Sequence, residues 1–197
     1  MKERAYYENV NIANEKRLRG LLQELPSFCR EFFIGIEPST SSRTRIAYAY
    51  DLGIFFEFLH ENNSYCGKME IKNFPLELLE RITPFDIEEY LQYLKYYEKD
   101  GVEHTNDERG IMRKLASLRS FYNYYFRKEL IEKNPAALVK MPKIHEKNIV
   151  RLDVDEIVLL LDEVETGDKL TERQKIYHKK TKVRDLAILT LLLGTGI

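Results

Sequence analysis

Apolar residues recur at helical spacing along most of the chain, and the interruptions fall at proline, glycine or short Ser/Thr clusters. Leu18, Leu21, Leu22 and Leu25 share one face over residues 14–37; Pro26 interrupts it, and Phe28, Phe32 and Phe33 continue it, which predicts a helix with a break or kink. Residues 38–42 are polar and form a loop whose Ser or Thr can cap the next helix. That second helix, 43–61, carries the stripe Tyr48, Leu52, Phe55, Phe56 and Leu59. Residues 62–81 hold Gly67 and Pro75 and are less regular, with one short helical turn expected at the LELLE segment. Thr83-Pro84-Phe85-Asp86 is a compact helix start, with Thr83 as N-cap and Pro84 at the first position. Ile87, Leu91 and Leu94 give this third helix its apolar face; Lys99-Asp100-Gly101 ends it, and residues 102–107 are expected to be a loop.

The fourth helix, 109–127, has two unlike sides when its residues are placed at 100° intervals. Ile111, Leu115, Leu118, Tyr122 and Tyr125 fall on one, and Arg109, Arg113, Ala116, Ser120, Asn123 and Arg127 on the other. Asn134-Pro135 closes this region, and a basic, weakly periodic segment follows from Lys140 to Arg151, with Pro142 inside it. Asp153 and Glu156 then form a capping pair ahead of Ile157, Leu160 and Leu161. Residues 166–182 suggest a loop followed by a polar helical stretch, and residues 184–197 an apolar helix ended by glycine. The pattern predicts an all-α protein in two parts: a helical domain over 1–139, a linker over 140–152, and a second, incomplete domain over 153–197.

Composition supports this picture. With 44% hydrophobic residues, 12% aromatics and only 9 Gly and 6 Pro in 197 residues, the chain can build a core from long helices. Cys29 and Cys66 lie far apart and lack metal-ligand spacing, so two free thiols in a reducing cytoplasm are expected, with no metal site. The first residues are polar rather than an apolar leader, and the longest apolar run, 186–193, is far short of the ~20 residues a membrane span requires.

Charge changes the picture more. The formal total is −1, yet residues 109–151 carry eleven cations against three anions, a local balance of +8 set against −9 elsewhere. Such polarisation points to a polyanionic partner. An exposed helix side that combines Arg with Ala, Ser and Asn can approach a phosphate backbone closely. A plain solvated face is the alternative for this helix taken alone, although such a face usually mixes both signs.

Thirteen tyrosines are available as nucleophiles, but Tyr48, Tyr90, Tyr122 and Tyr125 lie on apolar stripes, where packing is the expected role. His60, His104, His145 and His178 are scattered. Gly194-Thr195-Gly196 follows a helix rather than preceding one, so it has the geometry of a helix end and not of a phosphate loop.

Four segments in order, TRIAYAYDLGIFFEFL (44–59), ITPFDIEEYLQYL (82–94), RKLASLRSFYNYYFRKELIEKNPAALVKMP (113–142) and VRDLAILTLLLGTGI (183–197), resemble the N-terminal half of a tyrosine recombinase of the phage integrase and Xer type. Each segment is weak alone; their combination is specific. The resemblance implies a helical, SAM-like core-binding domain that clamps DNA, followed by the first helices of a catalytic domain. In that family a Thr-Gly-hydrophobic-Arg motif supplies the first catalytic arginine, and here the sequence stops at Thr195-Gly196-Ile197. The resemblance therefore implies a DNA-breaking and rejoining parent, with no catalytic residue on this chain and no cofactor. Double-stranded DNA and other recombinase protomers, four on two DNA sites, are the implied partners.

Arg113 and Arg119 match the family's fourth-helix arginines, and Arg109, Lys114 and Asn123 accompany them. Arg43, Thr44 and Arg45 open the helix whose N-terminal end faces DNA in the family, although Ala49 and Tyr50 stand where many relatives are basic. Lys140, Lys143 and Lys147 would touch the backbone from the linker. A non-catalytic helical DNA-binding or protein-interaction module that competes for recombinase sites is the alternative.

Overall fold

The computed structural model describes residues 6–99, 101–143 and 151–195. Among them 73% are helical, and the only strands are two short ones. The chain divides into two compact units, Met1–His145 and Glu146–Ile197.

In the first unit, α1 (Tyr6–Glu24) and α2 (Cys29–Ile36) flank Pro26, so of the expected break or kink the structure has the break. Proline lacks the N–H that would continue the helix, and residues 25–28 turn through a Pro26 carbonyl that accepts from Cys29 N at 2.9 Å. After a 3₁₀ turn, Glu37–Ser39, helix α3 (Ser42–Asn62) starts at Ser41, whose hydroxyl accepts from Thr44 N at 3.1 Å. The LELLE turn is α4 (Leu78–Arg81). Helix α5 (Pro84–Tyr93) carries the capping box read from sequence: Thr83 N donates to the Asp86 carboxylate at 2.7 Å, and Asp86 N donates back to Thr83 Oγ1 at 3.3 Å.

The segment expected to be a helix end and loop is a hairpin instead. Strands β1 (Tyr96–Lys99) and β2 (Val102–Thr105) pair antiparallel with Tyr97 opposite His104, and their rings stack at 5.0 Å. Gly101 supplies a left-handed backbone (φ 73°) that a side chain would resist. Lys99 Nζ reaches both Glu57 carboxylate oxygens at 2.6 Å, tying the hairpin to α3.

Helix α6 (Glu108–Arg127) is capped by Asp107, which accepts from Gly110 N at 2.9 Å, and ends near Glu129, held at φ 57°. A short helix, α7 (Pro135–Leu138), is capped by Asn134. The core is aromatic: Phe121 of α6 meets Phe32 at 5.2 Å and Phe56 at 6.0 Å, both edge-on, and Tyr125 packs on Phe121 at 5.1 Å. Edge-on pairing of this kind adds stabilisation beyond area burial. Buried tyrosines satisfy their hydroxyls on backbone carbonyls of other segments; Tyr125 donates to the Phe28 carbonyl at 2.7 Å.

In the second unit, α8 (Val154–Thr166) starts where Glu156 accepts from Asp153 N at 2.9 Å and stops at Gly167, φ 72°. Helix α9 (Glu172–Thr195) is continuous, unlike the expected separate polar and apolar helices, because no Gly or Pro stands between residues 172 and 193. Gly194 accordingly lies inside it rather than ending it, and Gly196 is outside the described residues. Neither helix buries a side chain fully, and Leu159, Ile176, Val183 and Leu191 are all more than half exposed. No helix among the described residues is long and apolar enough to cross a membrane.

Candidate nucleic-acid interface

Helix α6 presents the two sides expected of it. Ile111, Leu115, Leu118, Phe121, Tyr122 and Tyr125 are buried, while Arg109, Arg113, Ala116, Asn123 and Arg127 are exposed and Ser120 is half-buried. The exposed side is concave at its C-terminal half. A cleft of about 370 Å³ runs between α2 and α6, lined by Gly35, Ser39, Ser120, Asn123, Arg127 and Lys128 among others. A second, about 340 Å³, is lined by Arg119, Ser120, Asn123, Asn134 and Ala137. Ser120 and Asn123 belong to both, so two short polar side chains connect the clefts, with Arg127 and Lys128 beside the first.

Two features fix how α2 and α6 meet at the first cleft. Gly35 lets α2 approach the Tyr124 ring, since a Cβ there would stand 2.2 Å from a ring carbon. Tyr124 in turn donates to the Glu31 carbonyl at 3.1 Å, and the Lys128 ammonium sits 5.5 Å from its ring centroid. Ser39 brings the approach to α3 alongside the cleft; Arg43, on the first turn of α3, is exposed, and the Thr44 hydroxyl lies 2.8 Å from Ser41 Oγ.

Three cations expected at DNA turn inward. Arg45 is 4% exposed, its guanidinium enclosed by the Glu15 and Glu37 carboxylates and the Glu37 carbonyl. Lys114 is buried and donates to Asn106 Oδ1 at 2.7 Å, while Asn106 donates to the Leu94 carbonyl at 2.7 Å; burial holds its ammonium below the usual lysine value. Arg119 donates to the carbonyls of Ala136 and Val139. A helical wheel assigns Lys114 to a flank and cannot show that Asn106 waits there. Arg113 differs from these, being half exposed although it pairs with buried Asp51.

Lys140 and Lys143 are exposed just beyond α7, and Lys147 lies outside the described residues. The expected linker is described only at 140–143 and 151–152. Sequence reasoning left Ser39, Ser120, Arg127 and Lys128 out of the site; Ser120 and Arg127 were legible on the exposed side of the wheel, whereas Ser39 is brought in by packing alone.

Three of the tyrosines, Tyr90, Tyr122 and Tyr125, are packing residues of the core. Burial pushes the phenols of Tyr90, Tyr122 and Tyr125 well above their ordinary value, which disfavours the phenolate. An apolar groove of about 490 Å³ between α1, α3 and the hairpin carries Glu24 and the paired Glu57 and Lys99, with no excess of cations, and does not suit a polyanion.

Compared with known proteins, the chain is 30% identical over 181 residues to the tyrosine recombinase XerC of Caldanaerobacter subterraneus subsp. tengcongensis, covering 87% of this chain and 46% of that protein. It is 30% identical over 166 residues to the XerC recombinase of Leptospira interrogans (84% and 44%), and 27% identical over 188 residues to the tyrosine recombinase XerS of Streptococcus pyogenes (79% and 52%). The chain thus spans about half the length of the curated relatives it matches. No family model matches the chain, and no solved structure does.

Proposed function

The chain belongs to the tyrosine recombinase family, and from that premise we propose that it is the DNA-binding portion of a site-specific recombinase. The observation that carries the reading is the exposed side of α6, where short residues are flanked by cations at both ends. Eighteen residue steps separate Arg109 from Arg127, about 27 Å along the helix axis. A major groove is about 12 Å wide. Such a helix lies across or within the groove with Ala116, Ser120 and Asn123 near the base edges, while Arg109 and Arg113 at one end and Arg127 and Lys128 at the other reach phosphates. Asn123 can offer a donor and an acceptor together, the pattern that pairs with adenine in the major groove.

Arg43 and Thr44, next to the cleft, add contacts from the start of α3, and Lys140, Lys143 and Lys147 add backbone affinity without sequence information. Residues 1–139 form the core-binding part, 140–152 the strap, and residues from 153 open the catalytic part. The recombinase acts in the cytoplasm on double-stranded DNA, with four protomers on two sites, in integration, excision or chromosome-dimer resolution. Its reaction is a transesterification in which a tyrosine attacks a phosphodiester and arginines stabilise the charge that develops on phosphorus. The buried tyrosines of α5 and α6 take no part in it.

Titrating the chain with duplex DNA at several salt concentrations tests the reading. Binding should weaken with a log–log slope of roughly −0.9 per phosphate neutralised. Absence of binding at low salt, or binding indifferent to salt, would overturn it.

A further inference from the structure

Asp51 of α3 is a buried carboxylate, its side chain 2% exposed, and it faces α6. Its Oδ2 accepts from Arg113 Nη1 at 2.7 Å and from Ser117 Oγ at 2.7 Å, while Oδ1 has no hydrogen-bond partner among the described residues. The backbone beneath is fixed too, because Tyr90 of α5 donates to the Asp51 carbonyl at 3.4 Å. Ser117 also donates to the Arg113 carbonyl at 3.2 Å, so the hydroxyl is shared between the carboxylate and the turn that carries the arginine. Lys114 lies close enough to Asp51 to feel its charge, but its Nζ is committed to Asn106.

This is an expensive arrangement for stability alone, since a buried carboxylate with one unpaired oxygen keeps much of its desolvation cost. Its geometry is asymmetric. One partner is wholly buried, and the other is 53% exposed on the basic side of α6. Arginine has five N–H donors in a rigid fork, and a contact through one nitrogen to Asp51 Oδ2 anchors the group at one corner without consuming the rest.

We propose that Asp51 is a positioning residue for DNA binding: it pins Arg113 from within the core, so that the guanidinium meets a phosphate already oriented. Ser117 supports the pin by holding the carboxylate. The inference rests on the DNA-binding reading above and adds a residue that touches no DNA. It makes a prediction opposite in sign to simple charge. Neutralising an anion beneath a basic face should tighten binding to a polyanion. Releasing a pinned arginine should weaken it, because the ordering that Asp51 now supplies would be lost on binding.

The experiment measures binding of a mixed-sequence DNA duplex by the full chain carrying Asp51→Asn, Arg113→Ala, or both. Asp51→Asn should weaken binding by about threefold to tenfold, the loss expected for one long side chain ordered on binding. In the Arg113→Ala background it should cause no further weakening, whereas a purely structural role would weaken both backgrounds alike. A second measurement needs no substitution at Asp51. In the unsubstituted chain, nitrogen NMR should show the Arg113 Nη groups as separate, slowly rotating signals. If the unsubstituted chain binds DNA while Asp51→Asn binds as tightly or more tightly, the positioning role is wrong and the DNA-binding reading stands. A freely averaging Arg113 guanidinium also overturns the role. If the unsubstituted chain does not bind duplex DNA, both fall.

Discussion

Arg119 Nε donates to the carbonyl of Ala136 at 3.0 Å, and Nη2 of the same guanidinium donates to the carbonyl of Val139. Ala136 and Val139 are buried and Arg119 is partly so, and the arginine supplies a partner to one carbonyl within α7 and one just after it. One side chain of α6 thereby fastens the NPA segment onto the helix. Arg119→Ala should lower unfolding stability by roughly 1.5–3 kcal/mol, the range for hydrogen bonds from a charged donor, read as the urea midpoint. Arg119→Lys should not restore it, because an ammonium cannot address two carbonyls in fork geometry. An unchanged midpoint in Arg119→Ala would remove the clamp.

At the rim of the proposed interface, the two ends of α6 should contribute separately. Arg109→Ala and Arg127→Ala should each reduce the salt slope of duplex binding by about 0.9, and the double variant by about twice that. Both side chains are exposed, so thermal stability should be nearly unchanged. Slopes equal to that of the unsubstituted chain would mean that neither arginine meets a phosphate.

Glu129 occupies the left-handed region (φ 57°) after α6, and Leu130 N closes the helix end by donating to the Tyr125 carbonyl at 3.0 Å. This is the position that glycine usually fills. Glu129→Gly should stabilise the chain by up to about 1 kcal/mol by relieving Cβ crowding, and it also removes an anion beside Arg127 and Lys128. A higher melting temperature together with tighter DNA binding is expected; a lower melting temperature would show that the glutamate side chain holds the turn.

Burial and the nearby Asp86 push the Cys66 thiol from its ordinary 9.0 to about 11 in the folded chain. The sign follows from which state loses its proton first. The unfolded chain ionises near pH 9 while the folded chain still holds its proton, so the contribution of this thiol is complete below pH 9 and is lost as pH rises through about 11. Cys66→Ser, whose hydroxyl does not ionise in this range, should lose less stability between pH 9 and 11 than the unsubstituted chain in denaturant titrations. Parallel losses would exclude Cys66 as the source.

Most helices were legible because their stripes and caps are local. Thr83 with Asp86, and Asp153 with Glu156, fix helix starts through residues three positions apart, and Leu52, Phe55, Phe56 and Leu59 fall within little more than two turns of one another. The hairpin escaped because Asp-Gly in a sequence serves equally as a helix stop and as a turn, and its contacts with the rest of the fold, such as Lys99 with Glu57, 42 positions earlier, are not local. The length of α9 escaped for a related reason: a polar stretch and an apolar one look like two elements, although nothing between them breaks a helix.

The sequence by itself determined that α6 would have an apolar side and a basic side, since helical geometry repeats every 3.6 residues whatever surrounds it. It could not determine which cations stay outside. Arg45, Lys114 and Arg119 turned inward because acceptors from outside their own helices, Glu15, Asn106 and the Ala136 carbonyl, stand where the fold brings them. Arg113 remained half exposed although Asp51 meets it through one nitrogen. Charge is written residue by residue, but whether a charge faces solvent or an internal partner depends on which distant segment packs against it, and only the tertiary structure decides that.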